Sequence, residues 1–461
     1  MVGEVSAPNL LRPNVMRSIP TQPRRGPAAA TVALPARQAR IGQVGSALRR
    51  PRVTLAGAAF VTYLWVIHSG KLPIGAAAIV LGLAGLVLQH RRLRLPAPLI
   101  WLGGFLLWAS LGYFVAEHPE LTSERIYDYV KIWLIFLLAL NLADSRGQLR
   151  RMMIAWLAIF ALYPVRGIFF NFLYGYSTGG RYAWIQVFGN PNDFATLTLP
   201  PLAMSVALLQ SEKARWVRYA ALAGVIVLPL AIVITQSRGG ILALFTFGAL
   251  VLIQYRRRAG AIFLVLLSLG AISQLAPPEV WGRISAMKNL TSEATIAQAD
   301  TVGSAQARYD VWRVARGIIA DHKVFGVGVG GYSEVHAEYA ATGRFPGRVQ
   351  GRKDSHSTYL HAAAETGFPG VFLFLGVVLS TLWLGFKGAA KRRATDPGTS
   401  RSIRTLLFGL IAFMQASIFA SMEHLPYLYI YIAMIYTLIV VSGPGERGIP
   451  VPAVSGPDRR R

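Results

Sequence analysis

The chain has 461 residues, 53% hydrophobic and 15% charged, with a mean hydropathy of +0.43. Soluble globular chains carry about 25% charged residues. This balance therefore predicts an all-α polytopic membrane protein and excludes a soluble nucleic-acid binder, although 47 basic against 21 acidic residues give a formal charge of +26. The absence of cysteine excludes disulfides, thiolate metal sites, iron–sulfur clusters and cysteine nucleophiles.

Residues 1–52 hold nine arginines against one acid, Glu4, with no helical apolar period and no signal-peptide core. They read as a disordered basic cytoplasmic tail. From Val53 the sequence predicts twelve apolar spans, at 53–68, 72–88, 97–115, 126–143, 152–173, 193–209, 217–235, 239–255, 261–276, 368–386, 403–421 and 425–441. The organisation expected is spans one to nine within 53–276, a long helical external loop over 277–367, spans ten to twelve within 368–441, and a cytoplasmic tail over 442–461.

Charge orients these spans. The two tails and the turns alternating with them, at Arg91–Arg94, Arg146–Arg151, Lys213–Arg218, Arg256–Arg258 and Lys387–Arg404, hold 31 basic and 6 acidic residues, a net of +25. The remainder holds 16 basic against 15 acidic residues. The positive-inside rule then puts both termini in the cytoplasm and the 277–367 loop outside. The turns 116–125, 174–192, 236–238 and 422–424 share that outer side.

These outer turns carry the unusual residues. In the first, Gly179-Gly180-Arg181-Tyr182 is followed by Phe188-Gly189-Asn190-Pro191-Asn192-Asp193. Asn192 or Asp193 suits a helix cap, while Arg181 reads as an interfacial anchor or an anion ligand. Next, Thr235-Gln236-Ser237-Arg238-Gly239-Gly240 links two apolar spans with almost no polar chain between them. Arg238 must lie at or just below the membrane surface, where a charge is costly and usually functional unless it snorkels. A guanidinium there suits phosphate, because its fork binds two oxygens. Ser237 can cap the next span, and the glycines allow close backbone approach.

Within the long loop, Ser304 opens an amphipathic helix carrying Arg308, Arg313 and Arg316. Tyr309, Trp312, Ala315 and Ile319 follow helical spacing, as for a face lying along the membrane interface. The run Gly326-Val327-Gly328-Val329-Gly330-Gly331 only brushes a dinucleotide fingerprint; without a βαβ unit it reads as a structural turn. A short helix is expected from Ser355 to Gly367, with His356 in its first turn, where the local field favours a neutral, basic imidazole. Tyr359 and Leu360 would share its face and His361 would point elsewhere. His356 and His361 have no evident third ligand, so no metal is expected. The basic residues Arg344, Arg348, Arg352 and Lys353 suit either an anionic acceptor or solvent.

The order FGNPND, QSRGG, ARYDVWRVARGIIADHKVFGVGVGGY and HSTYLHAAAETGFPG, with twelve spans and a long loop after the ninth, resembles the O-antigen ligase and O-antigen polymerase superfamily over roughly residues 100–441. The resemblance implies transfer of a glycan from a polyprenyl diphosphate-linked donor to an acceptor hydroxyl at the outer, periplasmic face of the cytoplasmic membrane. It implies a loop histidine and arginines near the outer surface, which fall on His356 and on Arg238, Arg181 and Arg308. Asn190, Asn192 and Tyr359 stand as supporting residues. The family often places an arginine nearer the turn than Arg181, and has His-Asn where this chain has His356-Ser357. No cofactor or metal is implied. The acceptor would be a lipid A-core or another glycan, so ligase, polymerase and protein O-glycosylation readings share the signature. A twelve-helix transporter is the non-enzyme alternative, but two similar six-span halves are not evident.

Overall fold

The computed structural model describes residues 54–89, 92–177, 180–254, 304–347 and 349–443. The expected tails, the span at 261–276, the basic turn at Arg256–Arg258, Arg348 and the start of the 277–367 loop lie outside the described residues. Among the described residues the elements are helical and no strand occurs.

The helices are α1 (Leu55–Ser69), α2 (Gly75–Val87), α3 (Ala97–Gly112), α4 (Pro119–Asn141), α5 (Arg146–Phe160), α6 (Arg166–Leu173), α7 (Pro191–Ser211), α8 (Arg215–Ile234), α9 (Arg238–Gln254), α10 (Ser304–Asp321), α11 (Tyr332–Ala341), α12 (Thr358–Arg392), α13 (Pro397–Ala416) and α14 (Pro426–Val441). Their starts follow cap chemistry. Asn190 caps α7 and Asp396 caps α13, each followed by proline at the first helical position, where a missing N–H costs nothing. Asn190, rather than Asn192 or Asp193, is therefore the cap. Between α5 and α6 the chain widens into a π-turn over Ala161–Val165, at Pro164, which cannot donate the regular helical bond.

Six helical segments are long and apolar enough to cross a membrane: Ala97–Val115, Arg146–Leu173, Pro191–Ser211, Arg215–Ile234, Thr358–Arg392 and Pro397–Phe419. Four shorter apolar helices are α1, α2, α9 and α14. Helix α7 is the most enclosed of the six and packs against α8 and α13; α12 packs against α3 and α13, and α14 against α4. Peripheral helices expose large apolar side chains such as Leu81, Ile100, Leu107, Phe372, Leu379 and Trp383. Such a surface suits lipid, not water. The chain is a multi-pass membrane protein.

At one end of the bundle, ion pairs Arg94–Asp144 (2.8 Å), Arg146–Asp396 (2.7 Å) and Arg150–Glu212 (3.1 Å) tie basic turns together. At the other end α10, α11 and the first limb of α12 form a small lobe with its own core, including Val314, Ile318, Val327, Val335 and Ala364. The amphipathic period of 304–321 is real, but its apolar face does not lie along a membrane interface. Val311, Val314, Ala315, Ile318 and Ile319 are buried, packed within the lobe against α11 and α12.

Helix α12 corrects a second expectation. It starts at Thr358, not Ser355, and continues to Arg392 through a break at Gly367 (φ 65°, ψ −174°). Its first limb belongs to the lobe. Residues 355–357 precede the helix, because His356 takes a left-handed conformation (φ 47°) that a helix cannot contain. His356 therefore does not share a helical face with Tyr359 and Leu360.

Candidate functional site

Two turns meet at the lobe end of the bundle. Arg181 donates through its guanidinium to Asn192 Oδ1 (2.9 Å) and to the Thr235 carbonyl (3.3 Å). The same Asn192 oxygen accepts the Ser237 hydroxyl (2.9 Å). Asn192 is buried, and its position is set by the Asn190 cap, whose side chain accepts its N–H (2.8 Å). One amide thus locks the 180–193 turn to the 235–238 turn. Ser237 also accepts the Gly240 N–H (3.2 Å), capping α9 as the sequence suggests. Gln236, just before it, holds φ at 53°. The two glycines after Arg238 are needed for approach. A Cβ on Gly239 would stand 2.7 Å from the Phe419 ring, and one on Gly240 would overlap Ala195. Arg238 thus opens α9 beside the α13–α14 connection.

The histidine loop is clamped to that same connection. Thr358 donates to the Ala420 carbonyl through both its N–H (2.9 Å) and its hydroxyl (2.8 Å), and the hydroxyl accepts the Met422 N–H (2.8 Å). Trp312 of α10 donates its indole N–H to the Ser355 carbonyl (2.8 Å) and stacks on Phe419 (6.1 Å between ring centroids). Arg308 lies over the other partner of that stack, 5.7 Å from the Phe419 centroid. Asp354 accepts the His356 N–H (3.2 Å) and the Ser421 hydroxyl (2.8 Å) on Oδ1, and its Oδ2 lies 3.5 Å from His356 Nδ1.

His356, Arg308 and Arg181 are within electrostatic reach of one another's surroundings. Burial holds the His356 imidazole below its ordinary pKa. Asp354 opposes that shift, while Arg308, His361 and Arg181 add to it. The downward shift has a different cause from the helix field expected: His356 precedes the cap, and desolvation with Arg308, His361 and Arg181 in electrostatic range disfavours its protonation. Asp193 also faces this cluster, within reach of Asp354, Arg308, Glu423 and Arg181, with its Oδ1 buried. Tyr359 acts as a strut, its hydroxyl donating to the Met414 carbonyl of α13 (2.9 Å).

A second cluster was not anticipated. His361 Nε2 contacts Glu365 (3.1 Å) and its Nδ1 contacts Glu423 (2.8 Å), while His424 reaches the same Glu423 oxygen (3.2 Å). Glu365 accepts the Gly330 N–H (2.8 Å) and Tyr332 N–H (3.4 Å), so the glycine-rich turn is folded round a buried carboxylate. Gly326, Gly328 and Gly330 all take positive φ there. The nucleotide reading is unnecessary. Burial pushes the Glu423 carboxyl up, but His361 and His424 against it hold it below the ordinary range. In the sequence His356 and His361 have no evident third ligand, but the fold brings His361 together with Glu423 and His424, whose ligand atoms lie within 4.8 Å of one another. Both ring nitrogens of His361 face carboxylates, an arrangement that suits an imidazolium bridging two acids. The signals in the sequence were the i,i+4 spacing of His361 and Glu365 and the acid Glu423 between two apolar spans.

Residues 222–375 match the family model described as O-antigen ligase. Residues 222–375 thus form an O-antigen ligase-like region. That region runs from α8 into the second limb of α12 and contains Arg238, Arg308, His356 and Glu365. Arg181 and Glu423 lie outside it in sequence but contribute to the same end of the bundle. Comparison with curated proteins gave no match. The O-antigen ligase match supports a glycosyltransferase-like enzyme that works in a membrane on carrier-linked glycan and an acceptor.

Proposed function

We propose that the protein transfers a glycan from a polyprenyl diphosphate-linked donor to an acceptor hydroxyl at the outer face of the cytoplasmic membrane, as an O-antigen ligase. What supports this reading is that His356, its imidazole held below the ordinary pKa with Arg308 and Arg181 in electrostatic range, lies in the region that matches the O-antigen ligase family model. A diphosphate is already a good leaving group, so the site must mainly position the reactants and neutralise charge. His356 takes the acceptor hydroxyl proton as that oxygen forms a bond to the anomeric carbon. The bond from that carbon to the diphosphate oxygen breaks, and its electron pair leaves with the diphosphate. Arg238, Arg181 and Arg308 hold the departing charge. A single displacement inverts the anomeric centre. Asn190 and Asn192 support the arginines, and Tyr359 supports the histidine loop.

The scheme needs no metal ion. In the topology we propose, twelve spans place both termini in the cytoplasm and the lobe in the periplasm, consistent with the +25 net charge carried by the tails and cytoplasmic turns. Purified protein supplied with a carrier-linked glycan and, in turn, lipid A-core, a second carrier-linked glycan or a protein acceptor tests the reading. Transfer to lipid A-core is expected. Exclusive transfer to another acceptor would replace ligase by polymerase or protein glycosylation, and no transfer to any acceptor would remove the reading.

A further inference from the structure

Resting on the reading of His356 as the base, we propose that Asp354 and its partner Ser421 position that histidine, fixing both its backbone and its ring. His356 holds φ at 47°, a conformation that costs a non-glycine residue of its kind free energy and persists only where surrounding bonds impose it. Asp354 supplies such a bond, since its Oδ1 accepts the His356 N–H (3.2 Å). The carboxylate is itself held from a separate part of the chain: Ser421, between α13 and α14, donates its hydroxyl to the same oxygen (2.8 Å). Ser355 and Thr358, on either side, are anchored by Trp312 and by Ala420. The loop is thus fixed from α10 and from the α13–α14 connection, and Asp354 joins those constraints to the histidine.

The other carboxylate oxygen addresses the ring. Oδ2 lies 3.5 Å from His356 Nδ1, and that nitrogen is buried with no hydrogen-bond partner among the described residues. A buried Nδ1–H needs an acceptor, and Asp354 is the carboxylate beside it. A short closure on substrate binding completes the bond, as is common for catalytic contacts seen without substrate. With the proton on Nδ1, the lone pair resides on Nε2, the nitrogen that can take the acceptor proton. Against desolvation, His361 and the hydrogen bonds from Ser421 and the His356 N–H hold the Asp354 carboxyl below the ordinary range.

The test uses full-length protein in detergent or nanodiscs, with carrier-linked glycan transfer measured against pH. The groups facing His356 are Asp354, Arg308, His361 and Arg181, and of these Asp354 alone raises its affinity for a proton. In Asp354→Asn, kcat should fall about 100-fold, the scale of a misplaced catalytic group, while KM for the donor stays near the wild-type value. The acid limb of the pH profile should move to lower pH, because the charge that favours imidazolium is gone. Wild-type kcat overturns the proposal, as does a loss with raised KM and an unmoved limb, which marks a merely structural residue. Should this variant fail to fold, Ser421→Ala carries the test: kcat lower by about tenfold at unchanged KM is expected from loss of a charge-assisted hydrogen bond, and an unchanged kcat overturns the proposal. His356→Ala tests the base reading separately. Activity there would overturn that reading, whereas an inactive His356→Ala with a fully active Asp354→Asn would overturn only the role of Asp354.

Discussion

Asn192 shows how much one side chain can fix. Its Oδ1 serves both Arg181 and Ser237 from a buried position. Asn192→Ala leaves a guanidinium and a hydroxyl without that acceptor, which should cost about 1–3 kcal/mol and lower transfer as Arg181 loses its aim. Thermal unfolding in detergent together with the transfer assay checks this; unchanged stability and activity would contradict it. The candidates His356, Arg181, Arg238, Arg308, Asn190 and Asn192 stand out in the sequence because charges and turn formers between apolar runs contrast with lipid-compatible sequence. The role of Glu423 was not readable. Its partners His361 and His424 lie on two different parts of the chain, and only folding brings the first within 2.8 Å. The cause of the His356 pKa shift was likewise hidden, because burial and the approach of Arg308 are tertiary effects.

Among elements, the break in α12 decides the lobe geometry. Gly367 combines φ 65° with ψ −174°, a region open essentially to glycine, and an added Cβ would overlap the Val324 and Lys323 carbonyls. Gly367→Ala should destabilise the protein by about 3 kcal/mol or more and abolish transfer, measured by unfolding and by retention of a monodisperse species. Gly367, expected to end the short helix, instead marks a kink, and the chain carries on into the bundle. At the opposite end Asp396 caps α13 and pairs with Arg146 of α5. Burial raises its carboxyl, but the Thr399 N–H and Arg146 together bring it down to about 2. A depressed carboxylate stabilises the folded state above its ordinary pKa, and that contribution fades as pH falls toward 2. Asp396→Asn should therefore lower stability near neutrality and flatten the acid end of the profile, the two proteins converging as pH falls toward 2; unchanged stability near neutrality with an unaltered acid end would contradict the role given to this cap.

For the whole molecule, the charge asymmetry and the lack of cysteine combine into one clean topology test. The native chain has no thiol, so a single introduced cysteine reports one position. Ala341 at the end of α11 and Ala394 before α13 are both exposed. In spheroplasts an impermeant maleimide should label Ala341→Cys at once and Ala394→Cys only after permeabilisation; the reverse pattern would invert the proposed orientation. The apolar periodicity made the bundle legible, since ten of the expected spans reappear as the apolar helices α1–α3, α5–α9 and α12–α14 with their connecting turns. It misplaced the apolar face of α10, because burial against a protein lobe and burial in a membrane interface impose the same helical period.

The central claim is that a neutral imidazole at residue 356 takes the acceptor proton. The most direct measurement is single-turnover transfer from a carrier-linked glycan by purified His356→Ala beside the wild-type protein, with matched folding and donor binding. A loss of transfer of about 100-fold or more with donor binding retained is the result expected. Transfer at the wild-type rate by the alanine variant would contradict the account.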